Sequence, residues 1–418
     1  MLTRVATALR PLREARELLL ICVSTVLVMA GQGVIAPVLP LFARSFGVGA
    51  AEVGLTLSAF AAARMVLNIP LGILSDRRGR RVLLVTGPLV TAVGMIGSGF
   101  AVGIGDLLIW RFVAGAGSAM YMTGAQVYLV DISTPANRAR FIGTNQGALL
   151  LGVSVGPAVG GLVAEGFGFR APFFVVGVAA LFASLYAFVG LPETRHLVDS
   201  GDDEGAGGGD GATSAGRPWV RLLFSVDFLA VALVTMSIFF TRTAARQTLM
   251  PLLAADEFGF SPGGLGVLFT VLSVVTLLGL APAALIADRL GRKWAIVPSG
   301  LVVAVALAFM ASVDSTTWFV TSAVVMAAGN SIAGPAPAAY VADIAPASLR
   351  GLAMGMYRTS GDVGFVVGPP LLGAIADVTS IGTGLIANGV LVAVAAGVFL
   401  LFARETVHRR PRHAAPVP

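Results

Sequence analysis

Gly72–Leu84 reads GILSDRRGRRVLL. One carboxylate, four arginines and two glycines crowd into this run. It lies between the apolar stretches 53–75 and 82–103, each long enough to supply the ~20 residues that a helix needs to cross a bilayer. So charged a run between two such stretches is a short turn at one membrane face. The pattern returns at Ala284–Ile296, ALIADRLGRKWAI. Asp76 corresponds to Asp288, Arg77 to Arg289, Gly79 to Gly291, Arg80 to Arg292 and Arg81 to Lys293, at a constant offset of 212.

The offset holds far from this turn. Asp131 and Arg138 correspond to Asp343 and Arg350, and Gly143, Gly152, Gly156 and Pro157 to Gly355, Gly364, Gly368 and Pro369. Near the ends of the two halves, Glu193, Thr194 and His196 match Glu405, Thr406 and His408. One unslipped offset over such a length marks a duplicated unit. Parallel repeats in a membrane chain imply two similar helix bundles related by an axis along the membrane normal, a transporter architecture.

Composition agrees. The 418 residues are 56% hydrophobic and 12% charged, with mean hydropathy +0.88, about half the charged fraction of a soluble domain. Such a chain needs lipid around it. The net charge of +6 sits at the ends of apolar segments, so it reads as membrane topology and not as a nucleic-acid surface. One cysteine, Cys22, allows no internal disulfide, and the histidines at 196, 408 and 413 lie at segment ends or in the tail. No metal site, cofactor or catalytic nucleophile–base cluster is expected.

Twelve spans are expected, at about 18–43, 53–75, 82–103, 106–130, 141–164, 171–190, 226–250, 262–286, 294–314, 318–342, 351–376 and 381–402. The first is expected to be retained, although the basic start before it resembles a signal peptide. Alternate loops carry 21 basic residues on one side and two, Arg44 and Arg170, on the other. The positive-inside rule then puts both termini and both basic turns in the cytoplasm. Residues 199–216, DSGDDEGAGGGDGATSAG, are glycine-rich, acidic and without aromatics, so a flexible cytoplasmic linker is expected there. It separates an N-terminal six-helix bundle, 1–198, from a C-terminal bundle with a short basic tail, 217–418. Twenty-seven arginines to one lysine suggest a GC-rich bacterial genome and hence a bacterial cell (inner) membrane.

The turn motif G-x-L-x-D-R-x-G-R-R resembles the signature of the major facilitator superfamily between its second and third spans. The twelve spans, the repeat and the central linker are similar to that family over nearly the whole chain. In the second copy Ala284 replaces the first glycine. Residues 143–161, with Gly143, Gly152, Gly156, Pro157, Gly160 and Gly161, resemble the fifth-span motif of proton-coupled drug antiporters. Residues 31–40, GQGVIAPVLP, with Gln32, resemble the first-span motif of the twelve-span drug-efflux branch. Leu107–Gly115, LLIWRFVAG, resembles the fourth-span motif around an intramembrane arginine, here Arg111.

The resemblance implies an all-α protein of two pseudo-symmetric six-helix bundles, working as a monomer on a small molecule and protons with lipid around it. It also implies that the basic turn is a cytoplasmic latch between the bundles. Gly72, Asp76, Arg77, Gly79 and Arg80 with Asp131 and Arg138 would form it in the first half. Asp288 and Arg289 with Asp343 and Arg350 would form it in the second. Gly152, Gly156 and Gly160 recur every four residues on one helix face, where close backbone approach is possible, and Pro157 bends that helix. A thin, bent helix suits either a moving interface between bundles or static close packing.

Charges inside spans are costly and are functional candidates. Five arginines lie there: Arg64, Arg111, Arg242, Arg246 and Arg358. Their counterparts, Thr276, Ala323, Ala30, Val34 and Gln146, are uncharged. Asp362 is the one carboxylate deep in a span, with Leu150 as its counterpart. A carboxylate out of water holds its proton more tightly, and a neighbouring arginine loosens it. Asp362 is thus the proton-coupling candidate, paired either with Arg358 one turn away or with Arg64 of the second span. Gln32, Asn68, Arg242 and Arg246 are candidates to line a cavity. The expectation is proton-coupled efflux of small amphipathic compounds, neutral or anionic. Import of a small metabolite such as a sugar or organic acid, or a receptor or scaffold role without transport, are the alternatives. An enzyme is not expected.

Overall fold

The structure, a computed structural model, describes residues 2–134, 137–194, 218–346 and 349–406. The linker at 199–216 and the end of the basic tail lie outside the described residues. Helices in the first repeat are α1 (Leu2–Ile35), α2 (Leu39–Arg44), α3 (Ala50–Arg78), α4 (Arg80–Phe100), α5 (Ile104–Ile132), α6 (Arg138–Phe167) and α7 (Ala171–Gly190). The second repeat begins with α8 (Pro218–Leu223) and α9 (Val226–Phe240). A π-helical stretch, Thr241–Leu249, then leads into α10 (Met250–Asp256). It ends with α11 (Pro262–Arg289), α12 (Arg292–Met310), α13 (Thr316–Ala333), α14 (Ala336–Ile344), α15 (Arg350–Val378) and α16 (Ile381–Phe402). There is no strand among the described residues.

Among the described residues, eleven helical segments are long and apolar enough to cross a membrane. The expected fourth span is a continuous helix of 29 residues, Ile104–Ile132, but it is not among them. Arg111 and a centre rich in glycine, alanine and serine dilute its apolar character. Phe182, Leu185, Leu278 and Leu401 are more than half exposed. Bare apolar faces of this kind are stable against lipid and not against water.

By contacts the chain forms two compact units that do not follow the repeat boundary. The first holds Met1–Thr213 together with Arg246–Val271 and Pro369–Asp377. The second holds Ser214–Ala245, Leu272–Gly368 and Val378–Pro418. The expected division at 198 and 217 is therefore crossed by two segments of the second repeat that pack on the first. In the first unit Ile21, Leu84, Tyr128, Leu129, Phe141 and Ala183 form one buried cluster. In the second, Val231, Ile296, Tyr340, Ala395 and Phe399 form another. Tyr128 and Tyr340, both fully buried, are repeat counterparts.

Glycines set the closest helix contacts. A Cβ added at Gly152 would meet the carbonyl of Val26 at 2.7 Å, and one at Gly156 would meet Ala30 O and Val34 N at 2.5 Å. Gly160 lies against Val34. This face of α6 thus packs on α1 of the same repeat. On the other side of α6, Gly161 lies against Pro262 and Gly266 of α11. In the second repeat Gly364 lies against Met236 and Phe240 of α9, and Gly368 against Phe240.

Gly156→Ala should therefore overpack the α1–α6 contact and destabilise the protein by ~1–3 kcal/mol. Gly143→Ala, whose added Cβ meets nothing within 4 Å, should leave stability unchanged or slightly raised. Thermal unfolding of the detergent-purified proteins checks this. Equal midpoints for Gly156→Ala and wild type would remove close approach from the account.

Candidate functional site

At the basic turn the chain leaves α3 and starts α4 at Gly79, whose φ of +92° favours glycine over any residue with a Cβ. The first N–H groups of a helix have no partner within it and carry its positive end. Glu193, just past α7, meets them: its Oε1 accepts from Arg80 N at 3.0 Å and its Oε2 from Arg81 N at 3.1 Å. A side chain at Gly79 would occupy the place of that carboxylate. The Arg80 side chain turns inward, and its Nε donates to Asp131 Oδ2 at the end of α5, at 2.7 Å. These side chains are 7% and 5% exposed. Thr194 Oγ1 donates to the same Asp131 oxygen at 2.9 Å. Burial pushes the Asp131 carboxyl above its ordinary range, against the Thr194 hydrogen bond and the Arg80 charge, which pull it down. Arg81 reaches the Phe188 carbonyl and stacks 5.2 Å from its ring.

The second repeat builds the same cluster 212 residues later. Gly291 has φ +116°. Glu405 accepts from Arg292 N at 2.9 Å and Lys293 N at 3.0 Å. Arg292 Nε donates to Asp343 Oδ2 at 3.2 Å, and Thr406 Oγ1 donates to that oxygen at 2.8 Å. Lys293 Nζ reaches the Leu400 carbonyl, as Arg81 reaches Phe188. This copy is looser: Arg292 and Asp343 side chains are 13% and 35% exposed.

Expected latch residues divide into two groups. Arg80 and Asp131 are brought together and buried. Asp76 is 73% exposed and 3.7 Å from Arg80, and Asp288 is 67% exposed beside Arg292. Arg77, Arg138, Arg289 and Arg350 are exposed, and Gly72 has open space beside it. Asp131 meets Arg80, and Asp343 meets Arg292. Arg138 Nε instead donates to Ser133 Oγ at 3.4 Å. Glu193, Glu405, Thr194 and Thr406 had no assigned role in the sequence reading. Their shared offset was the available signal.

Inside the membrane segments, Arg111 is buried. Its Nε donates to the Thr56 carbonyl at 3.4 Å and its guanidinium lies 4.7 Å over the Phe60 ring. Its partners are thus a backbone oxygen and a π face. Arg64 is half-buried on α3, and Asn68 is exposed one turn on. Gln32 Nε2 donates to Ser118 Oγ at 3.2 Å. Arg242 and Arg246 both lie on the π-helical stretch, a backbone form that recurs at functional sites. Arg246 stands 6.0 Å from the Phe269 ring. Asp362 is half-buried on α15, and Arg358 is exposed one turn before it.

Two buried polar networks join residues that no motif or charge singles out in the sequence. Thr25 Oγ1 lies 2.8 Å from Tyr121 OH and donates to Asn145 Oδ1 at 2.7 Å. Asn388, fully buried, donates from Nδ2 to Thr241 Oγ1 at 3.1 Å.

A helical membrane protein with two matching turn clusters and charges embedded in its spans is a transporter of the kind the repeat implied. The profile of the Major Facilitator Superfamily matches residues 21–245 and 231–418. The chain belongs to that superfamily. It is similar to Multidrug resistance protein 2 of Bacillus subtilis (strain 168), with 26% identity covering 88% of this chain and 91% of that protein. It is also similar to Quinolone resistance protein NorA of Staphylococcus aureus (strain COL), with 25% identity covering 84% and 88%. Its fold is similar to that of a bacterial homolog of the human lysosomal transporter Spinster. The TM-score is 0.79 at 17% identity, over 93% of this chain and 96% of that one.

Removing one partner of a buried ion pair strands the other charge and costs about 3–5 kcal/mol. Asp131→Asn should therefore destabilise the protein by roughly that amount. Asp343→Asn, at a wetter site, should cost less. Asp76→Asn, at the surface, should stay within about 0.5 kcal/mol of wild type. Thermal unfolding of the three variants checks the ranking, and equal loss in Asp131→Asn and Asp76→Asn would contradict it.

Proposed function

We propose that this transporter exports small amphipathic compounds in exchange for protons, by alternating access. On this reading it works in a bacterial cell (inner) membrane with both termini in the cytoplasm. The observation that carries the reading is the contrast between two sets of charges. Those of the turn clusters occur twice, at matching positions. Arg64, Arg111, Arg242, Arg246, Arg358 and Asp362 lie in spans, and none has a charged counterpart in the other repeat. A scaffold shared by both halves needs its charges twice, whereas a substrate path and a proton site need them once. The resistance proteins to which the chain is similar favour a drug-like substrate class. Five embedded arginines against one embedded carboxylate favour neutral or anionic compounds.

Asp362 is the proton carrier in this proposal, with Arg64 or Arg358 as the positive partner that releases the proton. The turn clusters serve as the cytoplasmic latch. Buried Arg80–Asp131 and the wetter Arg292–Asp343 pair fix the frame, and exposed Asp76, Arg77, Arg138 and their counterparts do the catching and releasing.

The test is flux in vesicles of purified protein under an imposed pH gradient, with neutral, anionic and cationic amphipathic dyes. Gradient-driven flux of neutral or anionic dyes is expected in wild type. Asp362→Asn should lose gradient-driven flux while still exchanging substrate, and Asp76→Asn should fold normally but transport sharply less. If Arg64 is the partner, Arg64→Ala is damaging and Arg358→Ala mild, and the reverse order assigns Arg358. Normal coupling in Asp362→Asn would remove that residue as the proton site. Gradient-independent uptake of a sugar or organic acid would overturn export.

A further inference from the structure

The face opposite the basic turns carries a set of contacts that the proposed cycle has not yet used. Arg44 and Asp256 are repeat counterparts, 212 residues apart, and they pair with each other: Arg44 Nη2 donates to Asp256 Oδ2 at 3.2 Å. Equivalent positions of two repeats can meet only close to the axis that relates them. Two further carboxylates from one repeat meet helix starts of the other. Asp377, at the end of α15, accepts from Ala50 N at 2.6 Å and from Ala51 N at 2.9 Å, the first two residues of α3. Its counterpart Glu165, near the end of α6, lies where a side chain on Gly263, in the first turn of α11, would stand. Gly263 is itself the counterpart of Ala51.

Beneath each carboxylate the helices meet backbone to backbone. Gly54 lies against Pro369 and Pro370, and Gly373 against Ala50 and Ala51. In the mirror contact Gly266 lies against Pro157, and Gly161 against Pro262. Gly54 and Gly266, Gly161 and Gly373, and Pro157 and Pro369 are again 212 residues apart. The closure is therefore built twice, from the same positions, around one central ion pair.

We propose that these contacts form an outer gate, and that Asp377, Glu165 and the Arg44–Asp256 pair are the positioning residues that hold it shut. The inference rests on the transport reading only in calling the motion a transport step. The physical division of labour is as follows. Glycine-lined crossings supply fit but no directed force, so they part as readily as they meet. Asp377 supplies direction, because it satisfies unpaired N–H groups at the positive end of α3, and Glu165 places its charge beside the first turn of α11. Asp377 and Glu165 are exposed, and Arg44 and Asp256 side chains are 42% and 44% exposed. Water therefore replaces each contact at small cost when it breaks. A gate that must open every cycle needs such contacts, and the buried Arg80–Asp131 pair is unsuited to that task.

The test uses full-length protein in nanodiscs, in a Cys22→Ser background, with spin labels on Ser45→Cys and Glu257→Cys, which are counterparts beside the central pair. The distance distribution reports closed and open populations directly. Asp377→Ala should shift the closed-to-open ratio about three- to thirty-fold toward longer distances, the range expected for losing a helix-start carboxylate. Asp377→Glu should restore most of it, and Asp377→Ala with Glu165→Ala should shift it further. Arg44→Gln, at an exposed site, gives an independent shift in the same direction. An unchanged distribution in the double variant and in Arg44→Gln would overturn the gate. Shifted distances without gradient-driven flux of any dye would keep the gate and overturn the transport reading. Flux with unmoved distances would do the opposite.

Discussion

Bare amide groups at a helix start, met by a carboxylate from elsewhere in the chain, are the interaction on which this structure rests. At the basic turns Glu193 and Glu405 take two amides each, from Arg80 and Arg81 and from Arg292 and Lys293. The chain must reverse sharply between α3 and α4 and between α11 and α12, and a glycine with positive φ does so in both places. Removal of the Cβ at that glycine also leaves room for the carboxylate. The arginine after the glycine then points inward to Asp131 or Asp343, tying the start of one helix to the end of another. Helix start, turn and neighbouring helix end are thereby fixed as one body in each repeat.

The two copies differ in a way that bears on function. Arg80 and Asp131 are almost wholly buried, whereas Arg292 and Asp343 are wetter. A buried pair is weakly stabilising as a whole but expensive to break from one side, so the first copy is the stiffer. The degraded second motif, with Ala284 in place of glycine, goes with the looser cluster. Opposite these clusters the same chemistry recurs in exposed form, where Asp377 takes the amides of Ala50 and Ala51.

Much of this was legible in the residues. The turn motif, the 212 offset and the apolar spans gave the all-α repeat and its family. The offset also singled out Asp131, Glu193 and Thr194 with their counterparts before any role could be given to them. Pairing was harder to read. Arg80, Asp131 and Arg138 were expected in one cluster with no pairing among them; Asp131 meets Arg80 from a different helix, because that arginine turns inward at a helix start while Arg138 is exposed. The glycine face of α6 shows the same limit. Spacing put Gly152, Gly156 and Gly160 on one face, and no spacing rule says which neighbour that face meets. It meets α1, while Gly161 on the other side meets α11. Thr25, Tyr121, Asn145 and Asn388 carry no charge and no motif singles them out, so only their buried hydrogen bonds set them apart.

The claim that carboxylates hold the helix starts is tested most directly by hydrogen–deuterium exchange at the amides of Arg80, Arg81, Arg292 and Lys293. In wild type all four should exchange slowly. Glu193→Ala should speed exchange at Arg80 and Arg81 and leave Arg292 and Lys293 slow, and Glu405→Ala should do the reverse. Slow exchange at Arg80 and Arg81 in Glu193→Ala would contradict the account.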